Sequence, residues 1–187
     1  MQALTPGQLL GQSRIVYLSG EITTATAELV VGQLLALDGL DHDAEIKLVL
    51  SSYGGSVYAG LGIYDAMQLV EAPVSTLCIG PAFSMAAWLL AAGEPGLRRA
   101  TTHARIMVHQ ASSGLQGTTS DIRVAAENML ANERMMCELL ARHTGKTLEE
   151  IERAIQRDLW MSAEEARAFG LIDTIVPPAA RKAARLR

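Results

Sequence analysis

Apolar residues along this chain fall into short continuous runs and longer helical faces that alternate with one another. Residues 15–18 (IVYL) form a short apolar run ahead of Gly20. Thr23 and Thr24 then open a helical stretch carrying Leu29, Val30, Leu34 and Leu37 and closed by Gly39. The run at 46–50 (IKLVL) reads as a strand, SSYGGS at 51–56 as a turn-rich loop, and 57–70 as a helix ended by Pro73. A strand at 74–79, a turn at Gly80-Pro81 and a helix at 85–92 follow. Another strand covers 105–109 (RIMVH), and a polar, glycine-bearing stretch covers 111–120. A long helical pattern runs from Asp121 to about His143 and stops at Gly145. Thr147…Glu150 and Ser162…Glu165 have capping-box spacing and open two short helices, the second ending at Gly170. Residues 171–176 read as a last strand.

Strands alternating with helices predict an α/β fold of mostly parallel βαβ units with right-handed crossovers. There is no internal repeat and no linker, so one domain over 1–176 is expected, followed by a basic, solvated tail at 177–187. Between Glu71 and Glu94 no residue is charged, a length that could span a bilayer. Gly80 and Pro81 split it, and a buried strand, turn and buried helix fit better than a membrane span.

Composition narrows the function classes. The 187 residues are 49% hydrophobic but only 4% aromatic, and 19% are charged, which excludes intrinsic disorder. A net charge of -4 offers no footprint for nucleic acid. So few charges on so apolar a chain imply that some of its surface is covered by something else. Cys78 and Cys137 fit neither a CxxC nor a metal spacing and read as reduced core residues, so no metal is expected. The first ten residues have neither a basic nor an apolar segment of a signal peptide, and a cytoplasmic location is expected.

Four features carry candidate chemistry, each with a plainer reading beside it. Ser84 lies between Gly80-Pro81 and a helix start, where free backbone N–H groups could stabilise an oxyanion; alternatively it is an N-cap. Gly54-Gly55 allow close approach of backbone to a ligand, or form a simple strand-to-helix turn. His109 ends an apolar strand, where α/β sheets place functional groups, or is a satisfied edge histidine. Asp158 follows a helix end that disfavours it, or pairs with Arg157. His42, His103 and His143 read as surface residues. Together Ser84, His109 and Asp158 supply nucleophile, base and orienter in the order Ser…His…Asp, without the G-x-S-x-G elbow of an α/β-hydrolase.

These residues stand in segments that resemble the ClpP family, the proteolytic subunits of ATP-dependent Clp proteases: SSYGGSVYAGLGIYDAMQ, VSTLCIGPAFSMAAWLLAAG, RIMVHQ and IERAIQRDLWMSAEEARAFGLID. The resemblance covers about residues 12–176. It implies a crotonase-like α/β subunit with a protruding strand–helix handle at about 110–145, assembled as two stacked heptameric rings around a chamber. It places the catalytic roles on Ser84, His109 and Asp158, and the oxyanion-binding N–H groups on Gly55 and Met85. An unfolded polypeptide would pair with the backbone near Ser113, Gly114 and Leu115 by strand addition. No cofactor is implied for the subunit itself, ATP being used by a partner AAA+ Clp ATPase.

The chain also departs from the family pattern. Tyr53 and Ala111 replace prolines, and Phe83 beside the nucleophile is expected to reshape the side-chain pocket. Lys47, Val49 and Arg99 stand where apolar or aromatic residues dock the ATPase, predicting poor docking and a second ClpP-type subunit that supplies that face. Two other readings are a structural or weakly active ring subunit, and an acyl-CoA hydratase or isomerase on the same crotonase-like fold.

Overall fold

The structure is a computed structural model that describes residues 5–110, 114 and 116–179. The two most apolar runs lie side by side at its centre. Strand β2 (Ile46–Gly55) pairs in parallel with β1 (Ile15–Ile22) on one side and with β3 (Val74–Phe83) on the other. The sheet continues to β4 (Arg98–Thr101) and β7 (Thr174–Val176), also parallel. β3 branches: Thr76–Cys78 pair with β4, whereas Pro81–Phe83 pair in parallel with β5 (Arg105–Val108). β5 carries β6 (Leu159–Ser162) antiparallel on its far side. A mainly parallel sheet was expected from the alternation of elements, and the antiparallel β6 adds to it.

The strand ends differ from the sequence expectation where the site is built. β2 runs on through Ser51–Gly55, which had read as a loop. Ser52 is fully buried; its hydroxyl donates to Gly20 O and accepts from Gly54 N, so the polar residues are satisfied in an extended chain. Gly80-Pro81 is likewise no turn. From Leu50↔Cys78 to Ser52↔Ala82 the ladder advances two residues on β2 and four on β3, so Gly80 and Pro81 form a bulge. Proline's missing N–H is tolerated there because the ladder is already interrupted. β4 and β6 carry no apolar run that marks them in the sequence, and the last strand covers only Thr174–Val176 rather than 171–176.

Seven helices complete the described fold: α1 (Pro6–Gln12), α2 (Thr24–Leu40), α3 (Val57–Leu69), α4 (Met85–Ala91), α5 (Thr119–Thr144), α6 (Leu148–Ile155) and α7 (Ala163–Phe169). The capping boxes at Thr147 and Ser162 open α6 and α7 as their spacing predicts, and Gly145 and Gly170 close α5 and α7 in left-handed conformations. α1 is an addition to the expected elements; Thr5 caps it and Pro6 starts it.

Every residue of α4 is buried, which explains the uncharged stretch between Glu71 and Glu94. Among the described residues no helix is long and apolar enough to cross a membrane. α5 buries only Met136, Cys137 and Leu140, all toward its C-terminus, so its earlier turns project from the sheet. Of the segment expected to precede it as a strand, Ser113 and Leu115 lie outside the described residues, and Gly114 is exposed and outside any strand. The basic tail from residue 180 onward also lies outside them. Cys78 and Cys137 are buried free thiols, pushed up to about 12 and about 11, mainly by desolvation.

Candidate active site

The register of three neighbouring strands assembles the site. Phe83 pairs with Met107, and Ser84 N donates to Met107 O at 2.8 Å, so the residue after β3 lies next to the end of β5. On β5's other side the antiparallel ladder runs Arg105↔Ser162 to Val108↔Leu159. The next position in that register is His109 opposite Asp158. One strand therefore holds the histidine, and its two neighbours present a hydroxyl and a carboxylate to it from opposite sides.

The distances follow. His109 Nε2 lies 2.9 Å from Ser84 Oγ, and His109 Nδ1 lies 3.5 Å from Asp158 Oδ1. The histidine side chain is 28% exposed and the aspartate 56%. Beyond His109 the chain is tied down by Gln110, whose N–H donates to Ile155 O at 3.2 Å at the end of α6. Asp158 thus pairs with His109 rather than with its neighbour Arg157.

Ser84 is not an ordinary helix cap. Its side chain makes no capping bond, and its backbone has φ 51 and ψ -133. Among the described residues only Arg14 is another non-glycine at positive φ. Such a conformation costs about 1–3 kcal/mol and persists because its surroundings impose it. Here they are β3 behind, the wholly buried α4 ahead and the end of β2 alongside. Gly54 has φ +93, and a Cβ there would lie 2.7 Å from both Phe83 O and Ser84 Cβ. Gly55 has φ +152, and a Cβ on it would overlap the backbone of Ile22. The glycine pair lets β2 end directly against the serine, and the same Gly54 Cβ position is 3.2 Å from Met85 N. The structure thereby brings Gly55, Ser84, Met85, His109 and Asp158 into one locality.

A cavity of about 30 Å³ opens beside Ser84 and His109, walled by Val57, Met85, Trp88, Met136 and Ile155, with Glu133 at its edge. The Glu133 carboxylate accepts a hydrogen bond from Gln110 Nε2 at 2.8 Å. Trp88, Glu133 and Met136 were not singled out in the sequence. Trp88 had a signal, since a residue four after Ser84 lies on the same helical face. Glu133 and Met136 come from a distant helix and had none.

Phe83 is absent from the walls of this cavity and packs edge-on between Tyr53 (centroids 5.3 Å apart) and Trp160 (4.9 Å). Its ladder partner Met107 lies two residues before His109, so the aromatic packs on the same face of the sheet as the histidine. His143 is a correction: read as a surface residue, it is half-buried, 3.0 Å from Tyr64 Oη, and burial first, then Arg98 and Arg142, push its pKa down. A larger cleft of about 540 Å³ adjoins His143 and contains none of the three aligned residues.

Compared with known families, the chain matches the Clp protease family from residue 2 to residue 179. A match of that extent takes in every strand and helix that builds the site, from β1 to β7; the fold is the ClpP fold, and the chain belongs to the Clp protease family.

Proposed function

We propose that this protein is a serine endopeptidase subunit that cuts unfolded polypeptides inside a ring-shaped chamber, with Ser84 as nucleophile, His109 as general base and Asp158 as its orienter. The observation that carries this reading is the 2.9 Å contact between Ser84 Oγ and His109 Nε2, made by a serine in a strained backbone conformation. His109 takes the Ser84 proton as Oγ attacks the peptide carbonyl carbon. The acyl-enzyme forms as the C–N bond breaks and His109 returns that proton to the leaving amine. Water then repeats the sequence in reverse order of roles. Asp158 accepts from Nδ1–H, fixing the tautomer that leaves Nε2 free to accept.

The developing oxyanion is placed against the N–H groups of Met85 and Gly55. Met85 is the first residue of α4, so its N–H has no partner within the helix. Gly54 N is taken by Ser52 Oγ and Ser56 N by Ile22 O. Gly55, next to Gly54 at the end of β2, supplies the second N–H of this reading. Each such donor contributes about 3–4 kcal/mol to the transition state. The extended substrate pairs with the backbone around Ser113, Gly114 and Leu115, a mode that reads few side chains.

Assembly into rings is supported by apolar surface that a lone subunit leaves in water: Leu29, Leu40 and Leu69 are 68%, 79% and 74% exposed. The face where the family docks its ATPase is charged. Lys47 is exposed, and Arg99, in register with Leu77 next to Val49, pairs with Glu45 at 2.9 Å. That chemistry favours a mixed particle in which a second ClpP-type subunit receives an apolar ATPase loop.

The test is a fluorophosphonate serine probe applied to the assembled particle. Labelling of Ser84 that disappears in Ser84→Ala is expected; assembled rings that stay unlabelled would refute the peptidase reading and leave a structural subunit. Recovery of the usual Clp ATPase by rings of this chain alone would refute the mixed particle.

A further inference from the structure

We infer that Tyr58 is a positioning residue for the reaction proposed for this site: its phenol holds α5 against the start of α3, and α5 passes that placement to His109 through Glu133 and Gln110. The inference rests on the peptidase reading and adds to it a residue outside the three aligned groups.

The connection can be followed bond by bond. Tyr58 Oη accepts from Asn128 Nδ2 at 2.8 Å and from Asn132 Nδ2 at 2.9 Å. Residues at this spacing lie one above the other on a helix, so the two amides reach one oxygen from successive turns of α5. Both bonds favour the phenolate and lower the pKa of the phenol, Asn132 more than Asn128. Glu133, the next residue of α5, borders the cavity at Ser84 and His109 and accepts from Gln110 Nε2 at 2.8 Å. Gln110 directly follows His109 in the chain. At the other end, Tyr58 directly follows Val57, which walls the same cavity, and Ser56, the N-cap of α3, joins Val57 to Gly55. Two adjacent residues of one helix, Asn132 and Glu133, therefore reach to two sides of the site.

Core packing does not fix α5 at this level. The helix buries only Met136, Cys137 and Leu140, all beyond Glu133. Its earlier turns are placed by side-chain hydrogen bonds instead, to α3 through Tyr58 and to the chain beyond β5 through Gln110. Without the Tyr58 oxygen both amides lose their acceptor on α3. The helix is then free to lean away, Glu133 draws Gln110 with it, and the 2.9 Å contact between His109 Nε2 and Ser84 Oγ opens.

The experiment uses the assembled enzyme, a fluorogenic peptide and the fluorophosphonate probe. Tyr58→Phe keeps the ring and removes only the oxygen. It should lower kcat and the rate of Ser84 labelling together by about 5–30-fold, the factor that one or two lost hydrogen bonds correspond to, with KM unchanged. Asn128→Ala combined with Asn132→Ala breaks the same clamp from the other side. Alanine is the better helix former, so the thermal midpoint of this variant should hold or rise while labelling falls by the same factor. Activity and stability moving apart in this way is what a merely structural role would not produce. In a Glu133→Ala background, which already cuts the link to Gln110, Tyr58→Phe should add less than about twofold, because both act along one path.

Normal kcat and labelling in ring-forming Tyr58→Phe or in the double asparagine variant would overturn the inference. Failure of both to form rings would make Tyr58 a structural residue and overturn it equally. Losses that multiply in the Glu133→Ala background would overturn the route through Glu133. An unsubstituted particle that the probe does not label would instead remove the peptidase reading beneath it.

Discussion

Replacing Gly54 with alanine adds one carbon at the closest backbone approach in the site. Two costs can be worked out. A Cβ at φ +93 occupies a region that side chains rarely adopt, at about 1–2 kcal/mol. The new atom would also lie 2.7 Å from Phe83 O and from Ser84 Cβ, so reaching the 3.4 Å of ordinary contact requires a shift of 0.7 Å. Neither neighbour is a flexible side-chain end: one is the backbone of Phe83 and the other is the Cβ of Ser84. The displacement therefore reaches the 2.9 Å contact between Ser84 Oγ and His109 Nε2. Misplacements of about 1 Å cost roughly 100-fold in rate, and a loss of that order is expected here. The assay pairs the rate of Ser84 labelling with thermal unfolding at fixed protein concentration. Strain of about 2 kcal/mol should lower the unfolding midpoint by about 4–8 °C in a chain of this size. The control is Gly62→Ala, in the middle of α3 with nothing within 4 Å, which should gain about 1 kcal/mol in helix propensity and keep the labelling rate. A Gly54→Ala protein that labels at the normal rate would show that β2 does not hold the serine in place.

Asp158→Asn should lower kcat of peptide hydrolysis by about 10–1,000-fold, less than the loss seen where the orienter is fully buried, because this carboxylate is 56% exposed and 3.5 Å from the ring; steady-state kinetics in rings of normal mass reads it, and unchanged kcat would remove Asp158 from the mechanism. Asp173→Asn strips the counter-charge from buried Arg98 and should cost about 3 kcal/mol in denaturant unfolding at pH 7. Burial raises the Asp173 carboxyl, but the hydrogen bonds and charge of Arg98 outweigh it and hold the group below its ordinary value of 3.8. That stabilisation is therefore fully present above pH 3.8 and is lost as pH falls through the lowered folded value, where the two proteins should converge. His143, whose pKa is pushed down by burial first and then by Arg98 and Arg142, acts in the same direction at higher pH: the unfolded chain takes up its proton first, so stability should fall as pH drops below 6.5 and level off beneath the folded value. Unfolding curves for His143→Gln should lose that slope.

How much of this could be read in the chain depended on whether an element carried its own pattern. β2 and β3 are central and mostly apolar, so IKLVL and VSTLCI announce themselves as apolar runs. Their far ends do not, because Ser-Ser-Tyr-Gly-Gly and Gly-Pro carry turn chemistry that only a ladder neighbour overrides. β4 is two arginines, an alanine and a threonine; it is a strand because Asp173, 75 residues away in sequence, satisfies Arg98. β6 is four residues without clear alternation. Ser84 and His109 could be singled out because each follows a legible strand. Asp158 has no structural reason without β6, whose register with β5 sets it opposite His109.

Ser162 belongs to two elements at once: it is the last residue of β6 and the N-cap of α7, held by a reciprocal bond with Glu165. The point where the helix begins thus acts as a ruler for the strand. A slip of one residue at the cap would carry Leu159 into the place of Asp158 and turn the carboxylate to the opposite face of the sheet. The charge facing His109 is therefore measured out by a hydroxyl at the other end of its strand. An insertion anywhere in this short segment would silence the site without touching one of its residues.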